Sequence, residues 1–348
     1  MKSYVGIDLH ARNNYLGIID RKDKRLFGKR LSNSMDKIKL ALKPFRKGLT
    51  GIVVESTYNW YWLVDGLKEA GYKVHLANPS AIKQYEGLKH TDDRWDSFWL
   101  AHMLRLGILP EGYIYPKQQR PVRDLLRRRL LFVQQRTAHI LSLQSMITRH
   151  LGMNLSGNEI KKMKEDTVDH LFDEPTLILT AQSHISTINF LKRKIRDIEK
   201  AVLSQMSLKP EFEILTSIPG IGNILALTIM LELDDINRFK KAENYASYSR
   251  CVKSERLSDD KKKGSGNRKN GNKYLAWAYV EAAHFIVRYC PEANRFYQRK
   301  KAKVNGALAT KALANKLARA SYYMLRDQVA FDKDRLFRNQ CGSGREPT

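Results

Sequence analysis

Short apolar segments alternate with longer periodic ones over the first hundred residues. Short apolar runs bounded by turn residues are typical of strands, whereas apolar positions that recur every three or four residues are typical of helices. The pattern predicts strands and helices as follows: strands at 4–7, 15–19, 29–31, 51–54 and 72–76, and helices at 34–49 and 60–70. A strand pair followed by alternating strands and helices predicts an α/β domain with a mixed sheet.

Helical periodicity dominates from residue 121 onward. Leu126, Val133, Ile140 and Ile147 recur every seven residues, while the neighbouring seam is half polar. This spacing predicts an imperfect coiled coil or a helical hairpin, and a second helix continues the pattern. We therefore expect four segments: an α/β domain at 1–115, a helical, coiled-coil middle at 116–207, a mainly α-helical C-terminal domain at 208–335 and a disordered tail at 336–348.

The chain carries 62 Lys and Arg residues against 36 Asp and Glu residues, a net charge of +26. Such an excess argues against an ordinary small-molecule enzyme and indicates a polyanionic partner. The densest basic stretch covers 250–273, although a solvated loop would have the same composition. The three widely spaced cysteines provide neither a disulfide framework nor a CxxC metal site. No apolar run is long enough to span a membrane, so we expect a soluble protein of a reducing compartment.

Carboxylates follow two of the predicted strands and open a predicted helix. Asp8 ends the first strand and Glu55 the central one, so they can lie side by side, where their repulsion favours a cation between them. Asp93 and Asp96 are three residues apart and share one helix face. Taken singly, these residues would be solvated strand ends and helix caps, and His10 a polar strand-end residue. Together, four oxygen donors predict a site for one or two Mg²⁺ ions.

The acidic segments and a C-terminal block resemble a known family. GIDLH at 6–10, VVEST at 53–57 and TDDRWDSFWLA at 91–101 resemble the acidic motifs of a RuvC-like, RNase H-like domain. That domain opens the one-ten (and eleven-eleven) family of bacterial insertion-sequence transposases. Residues 245–275 resemble the conserved block of the family's C-terminal domain. The resemblance implies an RNase H-like N-terminal fold that holds Mg²⁺ through the four carboxylates.

The C-terminal block also implies a nucleophile. In the family a serine precedes a Lys-x-Gly step by about a dozen residues, and here Ser258 precedes Lys269-Asn270-Gly271. Asp259 follows Ser258 where the family usually has glycine, so Ser254 and Ser265 remain alternatives. Basic residues of the same stretch are candidates to bind the phosphate and stabilise its charge: Lys261, Lys262, Lys263, Arg268, Lys269 and Lys273.

The resemblance implies a transposase or site-specific recombinase that cleaves and rejoins DNA through a transient phosphoserine bond. Its partners would be the double-stranded DNA of the element ends and the target, a structured guide RNA, and further copies of the chain in a dimer or tetramer. Such a protein would be cytoplasmic and nucleoid-associated in a bacterium. Diffuse positive charge without a recognisable base-reading motif fits sequence choice by RNA pairing. Two alternatives remain: a metal-dependent junction nuclease that uses only the acids, and a non-catalytic nucleic-acid-binding protein.

Overall fold

The computed structural model describes residues 1–82, 92–205, 210–252, 256–258, 261–264 and 270–337. It describes only the backbone of residues 205, 256–258 and 261–263. The chain divides into two compact units, Met1–Lys117 and Gln118–Thr348. The segment boundaries expected at 115, 207 and 335 stay predictions. Among the described helices, none combines the length and the apolar character needed to cross a membrane.

The first unit is built on a mixed sheet whose described strands follow the order β3-β2-β1-β4-β5. β1 to β3 are antiparallel neighbours, whereas β4 runs parallel to β1 and β5 parallel to β4. This topology fits the RuvC-like α/β fold expected for the N-terminal region. The bounds are β1 (Ser3–Leu9), β2 (Asn13–Asp20), β3 (Arg25–Ser32), α1 (Met35–Leu42), β4 (Leu49–Glu55), α2 (Tyr61–Glu69), β5 (Val74–Ala77) and α3 (Asp93–Leu106).

The two faces of this sheet are covered by different helices. Because side chains alternate along a strand, Val5 and Ile7 of β1 point to one face, where they share a core with residues of α1 and α2. Gly6 and Asp8 point to the opposite face, which α3 covers. The alternation in β1 therefore assigns Asp8 to the side of the sheet on which α3 lies.

The helix predicted at 34–49 is shorter in the structure. α1 ends at Leu42, and the chain continues as a 3₁₀ helix over Lys43–Gly48 before β4 begins. Pro44 explains the change, since proline lacks the N–H group that an α-helix interior requires. The weak edge strand expected at 29–31 is longer than predicted and forms β3.

The described part of the second unit is mainly helical. Its long helices α4 and α7 pack against each other, with Ile140 and Ile147 of α4 buried against Ile185 and Ile188 of α7. This contact is a helical hairpin within one chain, and a coiled coil stays a prediction. The bounds are α4 (Arg120–Leu151), α5 (Gly157–Ile160), α6 (Glu165–Val168), α7 (Pro175–Gln205), α8 (Pro210–Thr216), α9 (Asn223–Leu233), α10 (Ala242–Tyr248), β6 (Arg256–Ser258), β7 (Lys261–Gly264), α11 (Lys273–Tyr289), α12 (Pro291–Lys301), α13 (Gly306–Asp327) and α14 (Lys333–Phe337).

The C-terminal core surrounds α9. Every residue from Leu225 to Leu233 is buried, α11 packs against this helix, and α13 packs against α10 and α11. Two residues of the predicted tail, Leu336 and Phe337, belong to α14, and the ring of Phe337 lies 6.2 Å from that of Phe296. The other predicted tail residues, 338–348, lie outside the described residues.

Candidate active site

The register of the sheet brings the two strand-end carboxylates together. β1 and β4 are parallel neighbours in which Ile7 is opposite Val54, so the next residues, Asp8 and Glu55, are adjacent. The two carboxyl groups are close enough for Asp8 to raise the pKa of Glu55. Asp8 is only 3% exposed. The predicted adjacency of these two acids is therefore present in the first unit.

A row of glycines allows α3 to lie directly on the sheet. Gly6 of β1 is paired with Gly17 of β2, which is paired with Gly28 of β3. A Cβ atom on Gly6 would lie 1.9 Å from the backbone oxygen of Ser97, a distance that no side chain could adopt. A Cβ atom on Gly17 or on Gly28 would lie 3.0 or 2.9 Å from the ring of Phe98. The helix is thus in contact with the strand backbones.

This close approach brings the first turn of α3 to the acidic strand ends. Asp92 caps the helix by accepting a hydrogen bond of 2.6 Å from the backbone N–H of Trp95. Asp93 and Asp96 follow in the first turn. Asp8 lies two residues along β1 from Gly6, on the same face. All four predicted carboxylates therefore meet at one edge of the sheet.

Two basic side chains complete the cluster. The Nε2 atom of His10 lies 2.9 Å from Oδ2 of Asp8 and 3.2 Å from Oδ1 of Asp93, and Arg30 pairs with the other oxygen of Asp93 at 2.6 Å. One ligand atom each of Asp8, His10 and Asp93 lies within 4.8 Å of the others. The interpretation of His10 as a polar strand-end residue was incomplete, because its imidazole joins two of the acids.

Arg30 was missed in the sequence, although strand pairing carries a signal for it. Asp8 is opposite Tyr15 on β2, and Tyr15 is opposite Arg30 on β3. The three residues form a row parallel to the glycine row, two residues further along the strands. Once the register of the glycines is known, Arg30 is expected on the face that carries Asp8.

Electrostatic repulsion is strong at this edge. Burial, the hydrogen bond with Asp8 and the charges of Asp8 and Asp96 raise the pKa of Glu55 to about 8. Burial and the charges of Asp8, Asp93 and Asp92 raise the pKa of Asp96 to about 6. A bound cation would remove this penalty, and carboxylate oxygens are the ligands that hard divalent cations prefer. The donor set therefore fits a divalent metal ion.

The predicted nucleophile lies in the second unit. Ser258 ends β6 and is paired with Lys261, the first residue of the antiparallel strand β7. The structure describes the backbone of Ser258 and of Lys261, Lys262 and Lys263, whereas Ser254, Ser265, Arg268 and Lys269 lie outside the described residues. Lys273 is the first residue of α11 and is exposed, with its Nζ atom 5.1 Å from the ring centre of Tyr274.

Two transposase families match the chain. Residues 5–151 match the DEDD transposase domain of the IS110 type, and residues 212–298 match a family described as "Transposase IS116/IS110/IS902 family". The first match contains the four clustered acids, and the second contains Ser258.

Known proteins resemble the chain over much of its length. The y4qE protein of Sinorhizobium fredii is 24% identical over 300 residues, which are 84% of this chain and 74% of that protein. A transposase for insertion sequence element IS1328 of Yersinia enterocolitica is 21% identical over 348 residues, covering 94% of this chain and 98% of the relative. A transposase for insertion sequence element IS1111A of Coxiella burnetii is 21% identical over 236 residues, covering 66% and 63%.

Proposed function

The chain is a DNA transposase of the IS110 family, and from this premise we propose that it cleaves and rejoins DNA through Ser258. Asp8, Glu55, Asp93 and Asp96 would hold the Mg²⁺ that assists this reaction. The observation that carries the proposal is the cluster of four carboxylates, in which Asp8 and Glu55 are adjacent at the ends of two parallel strands. A phosphodiester is negatively charged, so it can bind beside four carboxylates only if a cation compensates their charge.

The residues around the acids support a metal-dependent role. When bound there, Mg²⁺ would stabilise negative charge on the phosphate and on the attacking and leaving oxygens. Glu55 and Asp96, whose pKa values are about 8 and about 6, release their protons when a cation compensates the repulsion. Arg30 and His10 orient Asp93 through contacts of 2.6 and 3.2 Å.

The covalent step belongs to Ser258. Its Oγ atom attacks phosphorus, an Oγ–P bond forms, and the P–O bond to the neighbouring nucleotide breaks. The serine proton is lost and the leaving DNA oxygen takes up a proton, so the charge on the phosphate is unchanged. Attack by a DNA hydroxyl on the phosphoserine later releases the serine and rejoins a strand. Basic residues near the serine in sequence bind the phosphate and stabilise its charge: Lys261, Lys262, Lys263, Arg268, Lys269 and Lys273.

The proposed partners are double-stranded DNA, a structured guide RNA and other copies of the chain. The net charge of +26 supports contact with long polyanions. A dimer or tetramer would supply several acidic sites and several serines to the two DNA molecules that recombination requires. These partners follow from the family resemblance of the acidic motifs and of the C-terminal block.

A denaturing gel tests the covalent step. Wild-type protein with labelled element-end DNA and Mg²⁺ should produce a protein–DNA band that survives denaturation. Ser258→Ala should abolish the band, whereas the matched variants Ser254→Ala and Ser265→Ala should keep most of it. A band that survives Ser258→Ala but disappears in Ser265→Ala would move the nucleophile to Ser265. Cleavage without a band in all of these proteins would replace the recombinase with a junction nuclease.

A further inference from the structure

A buried ionic cluster lies beneath the N-terminus of α11. Glu232 of α9 is 2% exposed. Its carboxylate accepts hydrogen bonds from Arg123 at 3.0 Å and from two nitrogens of Arg127 at 2.5 and 2.8 Å. It also accepts one from the side-chain amide of Asn272 at 2.7 Å. Three helices of the second unit therefore meet at one carboxylate.

The charge of Glu232 is held in place by its partners. Burial alone would raise the pKa of Glu232, but the hydrogen bond from Arg127 and the charges of Arg123 and Arg127 lower it below its ordinary value. A buried carboxylate is tolerated when its oxygens are paired in this way, and losing one partner is costly. The cluster consequently has little freedom to rearrange.

Asn272 connects this cluster to the turn before α11. Its Oδ1 atom caps the helix by accepting hydrogen bonds from the N–H groups of Tyr274 and Leu275, at 2.8 and 3.2 Å. The backbone N–H of Asn272 donates to the backbone oxygen of Tyr248 at 2.6 Å. The side-chain N–H of Asn272 thus donates to Glu232, and its side-chain oxygen accepts from the N-terminus of α11. Its backbone N–H binds the last residue of α10.

A second set of contacts ties the same two stretches of chain. Nε of Arg250 donates to the backbone oxygens of Asn270 and Gly271 at 3.2 and 3.1 Å. Gly271 has a φ of +90°, and a Cβ atom there would lie 2.5 Å from the oxygen of Tyr248. Residues 248–250 and 270–272 are therefore clamped together, and the segment between them contains β6, β7 and Ser258.

We infer that Glu232 and Asn272 are positioning residues that fix the base of the hairpin carrying Ser258. The inference rests on the proposed role of Ser258 as the nucleophile. Both side chains are buried, at 2% and 7% exposure, so they act through the backbone of 270–272 rather than by touching DNA. Small displacements of a nucleophile lower the rate of attack much more than they lower binding. The hydrogen bond between the Asn272 amide and the Glu232 carboxylate should therefore affect the rate of the chemical step more than the affinity for DNA.

A reversed hydrogen bond provides the test. Asn272→Asp keeps the helix cap but places a second carboxylate against Glu232, and Glu232→Gln removes the acceptor charge. The double variant restores one amide and one carboxylate in the opposite order. With saturating element-end DNA and Mg²⁺, each single variant should form the covalent adduct about tenfold more slowly, with the DNA concentration for half-saturation within about twofold. The double variant should recover to within about threefold of wild type.

Matched controls separate positioning from general stability. Asn305 caps α13 with the same chemistry, accepting from the N–H of Leu308 at 2.9 Å, so Asn305→Asp should leave the adduct rate unchanged. If a single variant fails to fold, Asn272→Ser keeps a capping oxygen, adds no charge and should show the same slow adduct formation. Wild-type rates in Asn272→Ser or in folded single variants would overturn the inference while leaving Ser258 as the nucleophile. An adduct that persists in Ser258→Ala would instead overturn the proposed function.

Discussion

Asp8 is the residue on which the acidic cluster depends most. It is buried, is adjacent to Glu55 at the end of the neighbouring strand and contacts Nε2 of His10 at 2.9 Å. Its charge contributes to the raised pKa values of both Glu55 and Asp96. Removing this charge should therefore relieve repulsion in the metal-free protein and weaken the binding of a cation at the same time.

Asp8→Asn tests this dependence. We expect recombination to fall by about a hundredfold or more because the site loses one ligand charge, while the fold remains intact. Mg²⁺ should raise the Tm of the wild type and not that of the variant. Asp92→Asn is the control, since asparagine also caps helices and Asp92 faces the backbone of Trp95, so it should stay within about twofold of wild type. Undiminished recombination by Asp8→Asn in Mg²⁺ would contradict the metal assignment.

At the scale of elements, the position of α3 decides whether the acids can meet. The helix lies on the backbones of β1, β2 and β3 because Gly6, Gly17 and Gly28 form a row beneath it. A Cβ atom on Gly6 would collide with the backbone of α3, and a Cβ atom on Gly17 or Gly28 would crowd the ring of Phe98. The glycine row therefore determines the distance between Asp8 and the first turn of α3.

Gly6→Ala should displace α3. The new Cβ atom would collide with the oxygen of Ser97, so we expect a loss of about 1–3 kcal/mol in the free energy of unfolding, measured with urea. Recombination and the Mg²⁺-dependent rise in Tm should fall as well, because Asp93 and Asp96 move with the helix. Gly112→Ala is the control, since its nearest neighbours lie at an ordinary 3.6 Å. A Gly6→Ala protein as stable as Gly112→Ala would refute the packing argument.

The ionic cluster that joins α4, α9 and α11 should make stability depend on pH. The folded-state pKa of Glu232 is below its ordinary value of 4.5, so its pairing stabilises the fold above that pH and is lost as the pH falls through the lowered value. Glu232→Gln should cost about 3–5 kcal/mol at pH 7, because it removes the buried negative charge that pairs with Arg123 and Arg127. Urea unfolding should show this difference shrinking as the pH drops below 4.5. A difference independent of pH would exclude a charged Glu232.

At the scale of the whole molecule, positive charge accompanies both units. The net charge of +26 already counts the residues of the acidic cluster, so a large positive excess remains. Phosphate contacts by lysine and arginine release counterions, so the affinity for DNA falls as the salt concentration rises. The slope of log affinity against log salt is proportional to the number of contacts. The stretch 250–273, which contains β6 and β7, has the densest basic sequence and should contribute several of these contacts.

Neutralising three lysines measures that contribution. Changing Lys261, Lys262 and Lys263 together to Gln should weaken binding to all DNA sequences alike. The slope of log affinity against log salt should decrease by about two to three, at roughly 0.9 per lost contact. The same three positions changed to Arg keep their charge and should keep the slope. An unchanged slope in the Gln variant would mean that these lysines are solvated.

The sequence by itself determined the elements and the candidate chemistry of the first unit. Short apolar runs identify the strands β1 and β4, and Asp8 and Glu55 at their ends indicate a cation site, because neighbouring strand ends share one sheet edge. Spacing in the first turn of α3 puts Asp93 and Asp96 on one face. The helix predicted at 34–49 was too long, because the apolar periodicity continues past Pro44 whereas the α-helix does not.

Tertiary structure alone decided which distant side chains meet. His10 and Arg30 contact Asp93 only because the register of three strands brings them to it. The need for glycine at position 6 is explained only by the close contact with α3. Glu232 and Asn272, forty residues apart, form a bond only when α9 and α11 pack together. The physical reason is that local periodicity sets the direction of each side chain, whereas its partner is chosen by the packing of another element.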